Sequence, residues 1–441
     1  GSNLTFVGSA AGDGSSISAT ATYVAATIGI AAYSHSSSMN ITASNIILLG
    51  SVEGYGSSIS ATTTSIATAA VGMALYSISS PVSTVSISGS DVTLLGSTTG
   101  DHSTISATAS AYSAAAIGMA LSTLHSSIDL TIAGTNIICT GTTEGNRGSI
   151  SATVNSRSAT TIGVAVYSHS FTTVSITGSN VTLVGSAIGN GSSISTSANY
   201  AAATVGISML SFYQSFDMSI TGSNFVLLGS AAGRGSTISA TATDFAAAAI
   251  GVAVFSNVAL ATMSITGSNV TLLGRAGDSS SITSSAKRRA AATIGMAVYS
   301  KHDNTLSITG SNVTFLGSAA GNGSTISATA TNYAVAAIGM AFFSTSSTAL
   351  NITASNVVLL GSAAGNGSTI SATSEYAAAT IGMAMYKFGS TTTSISSIDI
   401  TGSNITLLGS AAGNGSTISA AAKHSAAAAI GMALDSSHTH T

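Results

Sequence analysis

The chain has 441 residues, of which only 5% are charged, with a formal net charge of -3, a mean hydropathy of +0.51, a single Cys and no Trp. Disorder accompanies high charge and low hydrophobicity, so this composition predicts an ordered chain. The ten Lys and Arg are scattered, which excludes a cationic surface for nucleic acid, and the lone Cys139 excludes a disulfide framework.

Ten copies of one unit of 42 to 48 residues fill the chain, starting near residues 2, 44, 90, 135, 179, 223, 268, 311, 355 and 403. A fixed period in this range denotes a solenoid, a propeller or a helical array. Residues 1–441 therefore read as one continuous body without a linker. The chain begins at Gly1 without Met and without a signal-peptide pattern, so it reads as a segment of something longer or a mature fragment.

Each unit opens on the strand SNVTLLG. Its anchor is Asn3, Asn45, Asp91, Asn136, Asn180, Asn224, Asn269, Asn312, Asn356 and Asn404, and a glycine closes it in every copy, from Gly8 to Gly409. The turn AAGNG follows, then the strand STISATAT, whose Ile recurs without exception from Ile17 to Ile418 as a core plug. The next strand, AIGMAVYS, carries Gly29, Gly72, Gly118, Gly163, Gly206, Gly251, Gly295, Gly339, Gly382 and Gly431 in its middle. Glycine weakens a strand unless another backbone packs on it, so an outward Gly/Ala face is expected to meet a second layer or another molecule. A turn of variable length and the strand LSIT complete the unit. Insertions gather in that turn, for example between Lys387 and Ser397, which places it at the surface.

Period-two alternation of Ile, Val and Leu with Ser, Thr and Gly argues for strands against a helical array. Ten copies exceed the usual four to eight blades of a propeller, and no WD-type signature occurs. An all-β parallel β-helix remains. The half TIS…AIGMAVYS parallels the half SIT…NVTLLGS, which predicts two coils per repeat and a rod of roughly 95 Å, or about half that with one wide coil. Apolar runs such as residues 334–343 fall short of the roughly 20 residues of a membrane span and read as core strands.

Nothing departs from the repeat in the manner of a catalytic or cofactor site. The acidic residues Asp13, Glu53, Asp101, Glu144 and Asp278 lie in the turn after LLGS, at most one per copy, which pairs no acid with a base. Lys287-Arg288-Arg289 reads as a solvated corner, Cys139 as a buried hydrophobe, and His424, His438 and His440 as a polar tail rather than metal ligands. The Asn anchor reads as a ladder of stacked amides, because its third residue selects β-branching rather than the hydroxyl of a sequon. Asn190, Asn322, Asn366 and Asn414, in the exposed GNGS bend, are the expected N-glycosylation sites, with Asn40 and Asn351 intermediate. A Thr row at Thr20/Thr22, Thr62/Thr64, Thr241/Thr243 and Thr329/Thr331 suggests an ice-binding face, and it breaks at Asn155, Glu375 and Lys423.

AIGMAVYS…SITGSNVTLLG…STISATAT resembles the repeats of autotransporter and adhesin passenger β-helices and related secreted surface solenoids. The resemblance implies a right-handed extracellular or cell-surface rod built for reach and attachment. The first and last copies look like interior ones, with open strand edges. The expectation is a non-enzymatic fibre subunit that binds copies of itself head to tail and laterally and carries covalent glycans. An adhesin stalk or glycan-binding surface protein is the alternative.

Overall fold

The computed structural model describes residues 3–437 apart from stretches at 11–12, 35–37, 53–54, 56, 78–81, 99–101, 103, 110–111, 124–126, 144–146, 148, 155–156, 169–171, 188–189, 212–215, 232–233, 257–260, 301–303, 320–321, 345–347, 364–365, 389–396, 412–413 and 415. The described residues form β-strands and turns, with no helix, in two fourteen-stranded parallel sheets. One sheet collects the SIT and NVTLLGSA segments, both contained in Thr172–Ala187, and the other collects STISATAT and AAAAIGMAVYS, both contained in Ser193–Ser211.

Every segment pairs with its own counterpart one repeat further on. Asn3 lies opposite Asn45, Asn180 opposite Asn224, Gly206 opposite Gly251 and Ile338 opposite Ile381. This corrects the expectation of two coils per repeat: the halves of a repeat belong to different sheets, and each repeat makes one wide coil. The likeness of the halves reflects a shared strand alternation, which sets facing but not pairing partners. The halves instead meet through the core. A Cβ built on Gly274 would lie 2.1 Å from Ile294 Cγ2, and one on Gly317 would lie 2.2 Å from Ile338 Cγ2.

Strict alternation positions the side chains. In Asn224–Ala231, Phe225, Leu227 and Ala231 are buried while Asn224, Val226 and Leu228 face outward. Two core clusters result. Ile176, Val181 and Leu183 pack in one, and Ile194, Ala201, Ala203 and Ile250 in the other. Residues i and i+2 of a regular strand share a face, yet Ile250 joins the second cluster and Val252 the first. Gly251 between them has φ +130°, and Gly206, Gly295, Gly339 and Gly382 repeat the conformation at 129° to 134°. Any side chain there would also meet the next coil, since a Cβ on Gly295 would sit 1.9 Å from the carbonyl oxygen of Gly339.

The packing partner expected for this glycine is thus the next coil of the same strand. The Gly/Ala face is interior: Ala246, Ala247, Ala248 and Ala249 are all fully buried, so this segment is covered on both faces by its own chain. That removes it as a surface for lateral packing between molecules.

At the turn after LLGSA, one residue adopts a left-handed conformation in each of the eight coils where that residue is described. Glycine holds it at Gly14, Gly191, Gly235, Gly323 and Gly367 (φ 67° to 73°), whereas His102, Arg147 and Ser279 hold it at 60°, 56° and 53°. A non-glycine residue pays roughly 1–2 kcal/mol there. Ser279→Gly and Arg147→Gly are therefore expected to raise the unfolding free energy by about 1 kcal/mol each. Denaturant titration of each variant beside the parent checks this.

Candidate functional surface: stacked side-chain ladders

One coil per repeat places equivalent side chains in files parallel to the axis, roughly 4.8 Å apart. The Asn anchors form such a file at the outer face. Nδ2 of Asn180 donates to Oδ1 of Asn136 at 2.8 Å, and the same bond links Asn224 to Asn180, Asn269 to Asn224, Asn312 to Asn269, Asn356 to Asn312 and Asn404 to Asn356 at 2.7–2.8 Å. Asp91 has no side-chain donor, so both neighbours must donate to it. Asn136 does so at 2.6 Å, and Asn45 does so at 3.0 Å when its amide nitrogen faces Asp91; its Oδ1 then lies 2.8 Å from Oδ1 of Asn3, so the Asn3 amide must turn with it to present its nitrogen as the donor. The polarity of the file inverts at Asp91. These bonds occupy the amide nitrogen of Asn180, Asn269, Asn312 and Asn404, the atom that a glycan would need.

The GNG turns make a second file with different chemistry. Oδ1 of Asn322 accepts the backbone N–H of Asn366 at 3.1 Å, Asn366 accepts that of Asn414 at 3.1 Å, Asp278 that of Asn322 at 2.8 Å, Asn190 that of Arg234 at 3.1 Å, and Asp13 that of Tyr55 at 2.9 Å. Here the oxygen is the structural atom and Asp serves as well as Asn. Asn190, Asn322, Asn366 and Asn414 are exposed, as is Asn40, whose Oδ1 accepts from the hydroxyl of Thr42 at 3.2 Å, and Asn351 is half-buried.

Beneath six of the turns lies a fully buried serine: Ser57, Ser192, Ser236, Ser280, Ser324 or Ser368. The hydroxyl of Ser280 donates to the carbonyl of Ala231 at 2.9 Å and that of Ser324 to Gly277 at 2.7 Å, which fastens one coil's turn to the coil before it. A Ser opens the STIS motif in nine of the ten copies, Gly148 being the exception, and this recurrence was the available signal for the plug.

A third file is less well satisfied. Thr27, Thr161, Thr204, Thr293 and Thr380 occupy the position before the core Ile, which is Val205 after Thr204, and their hydroxyls are buried without a hydrogen-bond partner. Other copies carry Ala at this position, among them Ala249 between Thr204 and Thr293. An unsatisfied buried hydroxyl costs about 1–3 kcal/mol, so Thr204→Ala and Thr293→Ala are expected to leave stability unchanged or raise it by about 1 kcal/mol. Loss of more than that in thermal unfolding would show that the hydroxyls have partners.

The outer face of STISATAT carries three parallel files of hydroxyls, running through Thr237, Ser239 and Thr241. Across the ten copies only Ala421 lacks the hydroxyl. The Thr pairs of the sequence reading straddle the third of these files and a less regular fourth, so the breaks at Glu375 and Lys423 fall outside the three; Asn155 lies beyond the described residues.

Among the described residues titratable groups do not converge. Asp217 is half-buried, accepts from the hydroxyl of Thr262, and is pushed above the usual carboxylate range by desolvation. Its file runs Asp129, Thr173, Asp217, Thr262, which keeps the two carboxyls two coils apart. The run Lys287-Arg288-Arg289 is tied to the coil before it by an ion pair of 2.9 Å between Arg288 and Asp244. Among the described residues no three His, Cys, Asp or Glu side chains gather to hold a metal ion. Glu53, Asp101, Glu144, His438 and His440 lie outside the described residues. Cys139 stands in strand between Leu94 and Leu183. Comparison with protein-family models, curated proteins and solved structures gives no match for this chain.

Proposed function

We propose that this chain is a non-enzymatic structural protein, a right-handed parallel β-helix of ten coils that serves as a subunit or segment of an extracellular fibre. The observation that carries this reading is the sameness of successive interfaces. Apart from substitutions such as Asp91, each coil offers the next the same set of edges, amides, plugs and glycines, so the surface that joins coils within a chain suits the joining of chains. With one coil per repeat, a ten-repeat subunit would be about 48 Å long. Electron microscopy of the purified chain tests the reading: filaments with an axial subunit repeat near that length support it. Rods that stay single under all conditions favour the adhesin stalk, with recognition supplied by another segment.

Glycans, if the chain passes through a secretory pathway that attaches them, belong on the GNGS turns, where the amide nitrogen is not the ladder atom. Turns one coil apart leave no room for a glycan on each of Asn322, Asn366 and Asn414. Mass mapping after secretion from a eukaryotic host should find at most alternate sites occupied.

The hydroxyl files favour a second reading, an ice-binding face. They form an uncharged, rigidly backed lattice with no aromatic side chain for stacking on sugars. Inhibition of ice recrystallisation that is lost in Thr241→Lys and retained when Thr182, on another outer face, becomes Lys would establish it. No inhibition by the parent chain would dismiss it.

A further inference from the structure

We infer that two copies of this chain pair side by side through the outer face of the NVTLLGS strands. The inference goes beyond the fibre reading and does not rest on it, because a stalk would pair by the same face. Alternation governs every segment, yet it leaves unlike residues outside. The STISATAT strands turn Thr237, Ser239 and Thr241 outward and the LSIT strands turn Ser175, Ser219 and Ser264 outward, whereas the NVTLLGS strands present Val184, Leu228, Leu273, Leu316 and Leu360, each half-buried. Across the ten copies this file holds seven Leu, two Val and Thr140, and the file beside it, that of Val226, is β-branched in every copy. Ile138 in that second file is 39% exposed, well inside the chain. Contiguous apolar surface of this extent marks an interaction site.

Shape and spacing select a second copy as the occupant. A groove runs beside the leucine file, floored by Gly185, Gly229 and Gly317 and walled on its far side by Ser186, Ser230 and Ser318, and it encloses about 880 Å³. Ridge and groove lie side by side, so a two-fold axis parallel to the rods sets the ridge of each copy in the groove of the other. The copies then run parallel, in register. Leucines stand roughly 4.8 Å apart along the ridge, and a second rod of this chain repeats at the same interval, so the contact made at one coil is made at each, as in the dry interfaces of stacked sheets. Area points the same way. From the Asn file to the Ser file the face is roughly 20 Å wide and about 48 Å long, about 950 Å² against the roughly 800 Å² per partner of a stable complex. Of the residues in its four outward files, Asp91, at the margin, and Arg275, in the groove wall, alone are charged. The axis brings the two Arg275 side chains to the same height, so this one charge opposes pairing.

Sedimentation equilibrium of the parent chain, over a range of concentrations, should give at least twice the 42.7 kDa of one chain. Leu228→Lys with Leu316→Lys should raise the dissociation constant at least about tenfold with an unchanged circular dichroism spectrum, while Ser219→Lys with Ser307→Lys, the same charges two coils apart on the LSIT face, should leave it unchanged. Arg275→Ser, the residue of eight other copies, should tighten pairing about threefold. Should the leucine-to-lysine variant fold poorly, Leu228→Thr with Leu316→Thr, the residue the chain itself carries at Thr140, should still weaken pairing. A parent that sediments as one chain, or lysine variants on the two faces that behave alike, overturns the pairing, and an Arg275→Ser variant that pairs no more tightly overturns the parallel register. If a single-chain parent binds phosphatidylcholine vesicles and Leu228→Lys with Leu316→Lys abolishes that binding, a lipid surface is the occupant and the pairing is overturned. Electron microscopy separates this inference from the fibre reading: filaments one rod wide overturn the pairing alone, and paired rods that never lengthen overturn the fibre alone.

Discussion

Gly295→Ala is expected to abolish cooperative folding of the coils around it, with a loss of at least about 4 kcal/mol. Two costs coincide. The backbone φ of +130° is one that L side chains rarely adopt, and the added methyl would lie 1.9 Å from the carbonyl oxygen of Gly339, an atom fixed in the parallel ladder. The same substitution in the TGSN corner provides the contrast. At Gly310 a Cβ would lie 2.4 Å from the carbonyl oxygen of Gly267, but φ there is not left-handed, and the chain itself carries Ala43 and Ala354 in that file. Gly310→Ala should therefore cost no more than about 1 kcal/mol. Circular dichroism with denaturant titration of the two variants separates them, and equal losses would refute the steric account.

Gly317→Ala is the second large effect. Its methyl would collide with Ile338 Cγ2 at 2.2 Å, and Ile338 is a β-branched, fully buried plug with no free rotamer to retreat into. A loss of about 2–4 kcal/mol is expected. Ile338→Ala alone should cost about 2–5 kcal/mol by leaving a cavity. The double variant should be more stable than the sum of the two losses predicts, because each change relieves the other. A coupling energy of about 1 kcal/mol or more from the cycle supports direct contact, and additivity would place the two residues apart.

These glycines show what the repeat made legible and where it stopped. Strand positions, the inward Val and first Leu of NVTLLG, and the need for glycine in AIGMA follow from alternation and recurrence alone. The reason for that glycine does not, because a missing side chain looks the same in sequence whether it admits a second sheet, another molecule or the next coil's carbonyl. Coil number is hidden for a related cause: alternation fixes the face of a residue and is silent on its axial neighbour. Once pairing is known, Thr237, Ser239 and Thr241 fall into files broken only at Ala421, while the Thr pairs mix an ordered file with an irregular one. The left-handed residue of the turn was concealed at His102, Arg147 and Ser279, where the usual glycine is absent.

The one-coil register has a further consequence for how such a chain can change over generations. Contacts run between equivalent residues of adjacent copies, so duplication or deletion of one whole unit in the gene leaves every remaining pair matched. Only rod length would alter, by about 4.8 Å for each unit gained or lost. A half-unit change, by contrast, would set NVTLLG against STISAT and leave the amides, plugs and glycines without counterparts. The length of the rod is thereby free to drift in whole units, and the variable turns between them can diversify without disturbing the stack.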